Sequence, residues 1–190
     1  MTKAVLRKFL VEVQQGRNLA GFFDRVVASV PTHEVCRVLV SSRDPRIQVI
    51  LCNVLRKQRR ATAIPALLSL LKQTKDSKVR VATIEALGDL KAKSAGARIL
   101  ALFKDKRQPV YVRDTAALAL GLIKYQRAEP QLIKGLRARQ GTIRGCSAKS
   151  LAFIKSQVGL PALSAQFVQE RDPNLKEIIK FALLTILRNS

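Results

Sequence analysis

The chain has 190 residues, 47% of them apolar and 5% aromatic with no Trp, and it carries 35 Lys and Arg against 13 Asp and Glu, a net charge of +22. That composition supplies an aliphatic, Ala-rich core, and no apolar run approaches the roughly 18 residues that a membrane-spanning helix needs. The charge does not set the fold; it selects partners, and nucleic acid is the first candidate for so cationic a chain.

Taken in order, the opening MTKAVLRKFLVEVQQ keeps charges throughout and reads as an amphipathic helix, not a secretory signal. Helices are expected over 3–15 and 19–30, with Asn18 as a cap and Pro31 as the stop. A pair follows at 33–41, capped by Thr32, and 45–58, where Asp44 caps and Pro45 occupies the first helical position, at which a missing N–H costs nothing. Further pairs are expected at 63–73 and 77–91, 94–103 and 109–124, 128–138 and 141–156, and 159–169 and 173–188, with Asp172-Pro173 repeating the Asp44-Pro45 device. No segment alternates with period two between Gly or Asn turns, so no strand is expected.

The clearest copy of the unit is DSKVRVATIEALGDLK, Asp76 to Lys91. Aligned on Arg80, its counterparts are Gln48, Arg113, Arg144 and Lys176, spaced 31 to 33 residues apart. One position earlier stand Ile47, Val79, Val112, Ile143 and Leu175. Six later stand Val54, Ala86, Ala119, Ser150 and Ala182, and seven later Leu55, Leu87, Leu120, Leu151 and Leu183. Ten later the column reads Gln58, Leu90, Ile123, Ile154 and Ile186. Apolar residues at these offsets form one helical stripe that must be buried against neighbours, and a period in this range marks a stacked array.

Two helices per unit, with Asp-x-x-Val-Arg opening the second, resemble the HEAT repeat in its short bacterial form. The motif is intact at Asp76-Ser77-Lys78-Val79-Arg80 and partial at Val112-Arg113, Ile143-Arg144, Asp44-Pro45-Arg46-Ile47 and Asp172-Pro173-Asn174-Leu175-Lys176. The resemblance implies an all-α fold, a right-handed α-α solenoid of about six helix pairs in a single 190-residue domain. Residues 1–31 would be an atypical capping pair and residues 32–190 five repeats of about 32 residues. It also implies a hydrogen-bonded ladder of the motif's Asp and Arg between units, which would make Arg80, Arg113 and Arg144 structural.

The resemblance covers scaffolds as well as enzymes, so the residues that chemistry would need decide between them. HEAT-like di-iron hydroxylases use several His-Glu pairs; here His33-Glu34 is the only one, and His33 is the single histidine. HEAT-like alkylpurine DNA glycosylases use Trp beside an acid and an arginine; Trp is absent, and Asp114 beside Arg113 is the one suggestive pair. Partner-dependent chromophore lyases of this architecture leave no mark that this chain carries. There is no phosphate-binding Gly loop and no nucleophile elbow. Gly88 and Gly121 share one column on second helices and read as points of close approach. The chain is therefore expected to be no enzyme and to need no cofactor or metal. Cys36, Cys52 and Cys146 lack the spacing of a metal or redox motif and read as small buried thiols of a reducing, cytoplasmic setting.

Eleven positions after the reference residue stand Arg59, Lys91, Lys124 and Lys155, a cation at the end of four successive second helices. With Arg56, Lys57, Arg60, Lys93 and Arg127 they form the candidate nucleic-acid-binding set, meeting the phosphate backbone of DNA or RNA without reading sequence. The bland account, that a terminal cation complements the helix dipole, explains one per helix but not the run Arg56-Lys57-Gln58-Arg59-Arg60. The opposite rim, Lys104, Lys106, Arg107, Arg137 and Arg139 among it, reads as solvated loops, although Lys104-Asp105-Lys106-Arg107 could meet phosphate. The inner face of the second helices is partly apolar, with Leu118 and Phe181 as candidate partner-binding residues. It supports the competing reading, a scaffold or assembly factor for an acidic or helical protein.

Overall fold

A computed structural model describes residues 2–16 and 20–188; the candidate cap Asn18 lies outside the described residues. The chain divides into two compact units, Met1–Ala92 and Lys93–Ser190, each built from helix pairs. The first contains α1 (Thr2–Gln14), α2 (Ala20–Ser29), α3 (Thr32–Ser41), α4 (Pro45–Gln58), α5 (Ile64–Gln73) and α6 (Ser77–Asp89). The second contains α7 (Gly96–Lys104), α8 (Val110–Leu122), α9 (Glu129–Gly135), α10 (Gly141–Phe153), α11 (Leu160–Gln169) and α12 (Pro173–Leu187). Short 3-10 turns at Ala61–Ala63, Lys93–Ala95 and Gln126–Ala128 lead into α5, α7 and α9. The described residues contain helices and no strand, the all-α solenoid fold that the repeat implies.

Local sequence explains where the second helices start. Asp76 Oδ1 accepts from the N–H of Lys78 at 2.8 Å and of Val79 at 2.9 Å. Asp44 accepts from Arg46 N–H at 2.8 Å, and Asp172 from Asn174 N–H at 2.9 Å, each with Pro at the first helical position. These bonds satisfy donors that a helix start otherwise leaves open. Thr32 behaves differently from expectation. It is the first residue of α3, not its cap, and its Oγ1 donates to Gln58 Oε1 at 3.0 Å. Gln58 in turn donates to the carbonyls of Val27 and Val30, closing the end of α2. That is why the one polar residue in its column is a glutamine.

Packing follows the columns. In the first unit α4 packs on α6, and α3 and α5 on each other and on their partners. In the second, α8 packs on α10 and α10 on α12, with α7 on α8, α9 on α10 and α11 on α12. Leu55, Leu87, Leu120 and Leu151 are fully buried, as are Val54, Ala86 and Ala182. Small residues in that column let second helices approach. Ser150 Oγ donates to the Ala117 carbonyl across the α8–α10 contact at 2.7 Å, and a Cβ on Gly121 would lie 2.6 Å from Ser150 Cα. Burying each such leucine contributes roughly 2 kcal/mol.

The reference column acts at helix ends. Its residues cap the preceding helix of their own pair: Gln48 Nε2 donates to Ser42 O at 2.8 Å, Arg80 Nη2 to Thr74 O at 3.0 Å and Arg113 Nε to Phe103 O at 3.2 Å. Arg144 Nη1 donates to Ala138 O and Arg139 O, each at 3.0 Å. Arg144 also reaches the next pair, where Nε and Nη2 grip Glu170 at 2.7 and 2.9 Å. These arginines are structural, as expected, but they hold carbonyls at helix ends, where an always-charged donor is most useful.

Candidate functional site

The terminal cations share one backbone conformation. Arg59, Lys91, Lys124 and Lys155 have φ of 52°, 53°, 53° and 54°, and they are the only non-glycine residues at positive φ among those described. Lys91 N–H donates to Gly88 O and Ala92 N–H to Leu87 O; Lys124 and Tyr125 repeat the pattern on Gly121 and Leu120, and Lys155 and Ser156 on Ala152 and Leu151. This is the Schellman closure, whose left-handed residue is usually glycine because a Cβ there costs roughly 1 kcal/mol. The expected helices therefore stop early, at Asp89, Leu122 and Phe153, and the cations stand just past the helix ends, exposed.

Like columns meet like between adjoining second helices, so Arg59 and Lys91 share one end of the α4–α6 pair, and Lys124 and Lys155 one end of the α8–α10 pair. Lys57, Arg60, Lys93 and Arg127 are exposed in the same turns. Arg59, Lys91 and Lys124 form no ion pair among the described residues. Arg56 is different: half-buried, it ion-pairs with Glu85 and lies 3.5 Å from Asp89 Oδ2, so it braces α4 against α6 instead of facing a ligand.

The candidate partner face is uneven. Val49, Val81 and Leu118 are half-buried, while Gly88, Gly121 and Ala152 are closed by helix packing. Phe181 is 62% exposed on α12, with Leu184 and Leu187 also outside. His33 is exposed beside Glu34, 3.8 Å away. Among the described residues no three His, Cys, Asp or Glu side chains converge, and no helix is long and apolar enough to cross a membrane. Asp114 makes no bond to Arg113, whose guanidinium is taken by Phe103 O. Of the thiols only Cys52 is fully buried; Cys36 and Cys146 are half-buried. Burial pushes Cys52 up to about 12 and Cys146 to about 11, so both stay protonated and unreactive at neutral pH.

Sequence reasoning missed a second cationic site. In the second unit the α7–α8 and α9–α10 turns enclose a cleft of about 670 Å³ lined by Lys104, Lys106, Arg113, Lys134, Arg137 and Arg139, with no carboxylate in its wall. The turn cations were legible as runs, but the approach of two turns separated by about one repeat was not.

The sequence matches the family described as HEAT repeats over residues 33–111 and 99–183. The chain belongs to the HEAT-repeat family. Among solved structures, this HEAT protein is similar to an engineered protein, at 18% identity and a TM-score of 0.61, covering 100% of this chain and 91% of that one. It is also similar to the complex of CpcE and CpcF of phycocyanin lyase from Nostoc sp. PCC7120, at 18% identity and a TM-score of 0.65, covering 90% of this chain and 68% of that one. At that identity the likeness shows a shared fold. No curated protein matches the sequence.

Proposed function

We propose that this HEAT protein is a non-catalytic interaction scaffold whose second-helix face receives an acidic or helical protein partner. The observation that carries the reading is the apolar surface of α12, where Phe181, Leu184 and Leu187 stand in solvent. Large apolar side chains grouped on one exposed helix mark interaction surfaces more often than scattered ones do. The family and the similar fold seen in a two-protein complex support it. Phe181→Asp is the direct test, because an exposed site tolerates the change without unfolding. In pull-downs from nuclease-treated lysate, wild type should retain a protein partner and Phe181→Asp should lose it by at least about tenfold. Capture that disappears with nuclease alone would sink the reading.

A second reading, phosphate-backbone binding by Lys57, Arg59, Arg60, Lys91, Lys93, Lys124, Arg127 and Lys155, is supported by the left-handed cations. Glycine is the cheaper residue at those four backbone positions, so the charges are kept at a cost. Lys91→Gly and Lys124→Gly should each stabilise the fold by roughly 0.5–1 kcal/mol. In a titration against duplex DNA or RNA, the pair should also make affinity less dependent on salt, since fewer counterions are released. Higher melting temperature with an unchanged salt slope would leave these cations without a nucleic-acid role.

A further inference from the structure

We propose that the cleft between the α7–α8 and α9–α10 turns is a binding site for a small oligophosphate anion. The inference depends on neither reading above. Its volume of about 670 Å³ falls within the roughly 300–1,000 Å³ of small-molecule clefts. Six cationic side chains line it and no acid does. The acid between two of the lining lysines, Asp105, is occupied elsewhere: Arg107 Nε lies 3.0 Å from its Oδ1 and Gln108 Nε2 3.0 Å from its Oδ2. Lys104, Lys106, Lys134, Arg137 and Arg139 form no ion pair among the described residues. Gathering like charges in one concavity raises their mutual repulsion, and a polyanion relieves it.

Two features make the cleft more than a group of surface lysines. Its walls are pinned: Arg113 ties the end of α7 through Phe103 O, and Arg144 ties the α9–α10 turn through Ala138 O and Arg139 O. The cations that those turns carry are thus held on fixed backbone, which reduces the ordering cost of binding. The first turn of α10, whose Gln140 and Ile143 line the cleft, is also unlike α4, α6 and α12. It has no side-chain cap, whereas those three are capped by Asp44, Asp76 and Asp172. An acidic cap there would repel the anion; its absence leaves the positive end of a 13-residue helix on the cleft.

Why an oligophosphate? Lysines and arginines around one concavity can meet several linked phosphates at once, and arginine does so through paired N–H donors. A duplex, being convex, would reach such a concavity with one or two phosphates.

Calorimetric titration of the full chain with sodium tripolyphosphate, against sulfate at matched ionic strength, tests the site. The cleft variant Lys106→Ala/Lys134→Ala/Arg139→Ala is compared with Arg43→Ala/Lys75→Ala/Lys78→Ala, which removes the same charge from exposed positions of the first unit. Wild type should bind one tripolyphosphate well above sulfate. The cleft variant should bind about a hundredfold more weakly, and the control within about threefold of wild type. Thermal melts check both folds, and the single change Lys134→Glu gives the same comparison should the triple variant melt early. Equal losses in both triple variants, or no preference over sulfate, would overturn the proposal. So would a short RNA duplex that binds through the cleft and is not displaced by tripolyphosphate, which would assign the cations to a nucleic-acid path.

Discussion

Replacing Glu170 with alanine is expected to destabilise the second unit by about 3 kcal/mol, a melting shift on the order of 15 °C for a unit of this size. The side chain of Glu170 is 3% exposed and its partner Arg144 18%. The two share a pair of parallel bonds, and Glu170 also accepts from Gln166 and from the N–H groups of Arg171 and Asp172. Removing the carboxylate leaves a largely buried guanidinium short of two partners. The loss stays at the lower end of the usual range because Arg144 keeps the carbonyls of Ala138 and Arg139.

The same pair sets an acid limit. The Arg144 hydrogen bonds hold the Glu170 carboxyl down to about 2, below its ordinary 4.5. The unfolded chain therefore binds this proton more readily than the folded one. The contribution is complete above about pH 4.5 and drains away as pH falls toward 2. Melting curves of wild type should fall steeply across that window, and those of Glu170→Gln should be flatter and start lower. A wild-type curve parallel to that of Glu170→Gln between pH 5 and 3 would show that the pair does not control acid stability.

Gly121→Ala is expected to cost about 2 kcal/mol, although helix propensity alone would predict a gain of nearly 1. The two effects oppose each other, and geometry decides between them. The added Cβ would sit 2.6 Å from Ser150 Cα and from its Oγ. Trimming Ser150 removes the oxygen but not the Cα, so α8 and α10 must separate, and the Ser150 bond to Ala117 O goes with them. Urea melts of Gly121→Ala alone and with Ser150→Ala check this. Rescue by the second change would place the clash on the hydroxyl and not on the backbone.

Much of the fold was legible because the columns are set by burial. Leu55, Leu87, Leu120 and Leu151 could be aligned by period alone, and all four are buried. Asp44 and Asp172 could be read as caps because their chemistry is local. What depended on distant backbone was not legible. Arg80 and Arg113 donate to carbonyls at the end of the helix before them, an acceptor that no side-chain pattern displays. Thr32 looked like a cap until Gln58 supplied a different partner. Among the candidate cations, Arg56 belonged to the run by sequence but is held by Glu85 and Asp89. The left-handed turns were hidden for a related reason: Lys91 and Lys124 look like last-turn residues, and only the buried Ala92 and the inward Tyr125 that follow hint at a reversal.

Those turns also constrain how the sequence can drift. A β-branched side chain is badly strained at φ near 53°, so Val, Ile and Thr are closed to positions 59, 91, 124 and 155. The substitution that relaxes the backbone at each is glycine, and the same exchange discharges the surface. Fold robustness and electrostatic character are thus coupled at four sites with opposite sign, and a lineage that gains heat tolerance there does so by becoming less cationic.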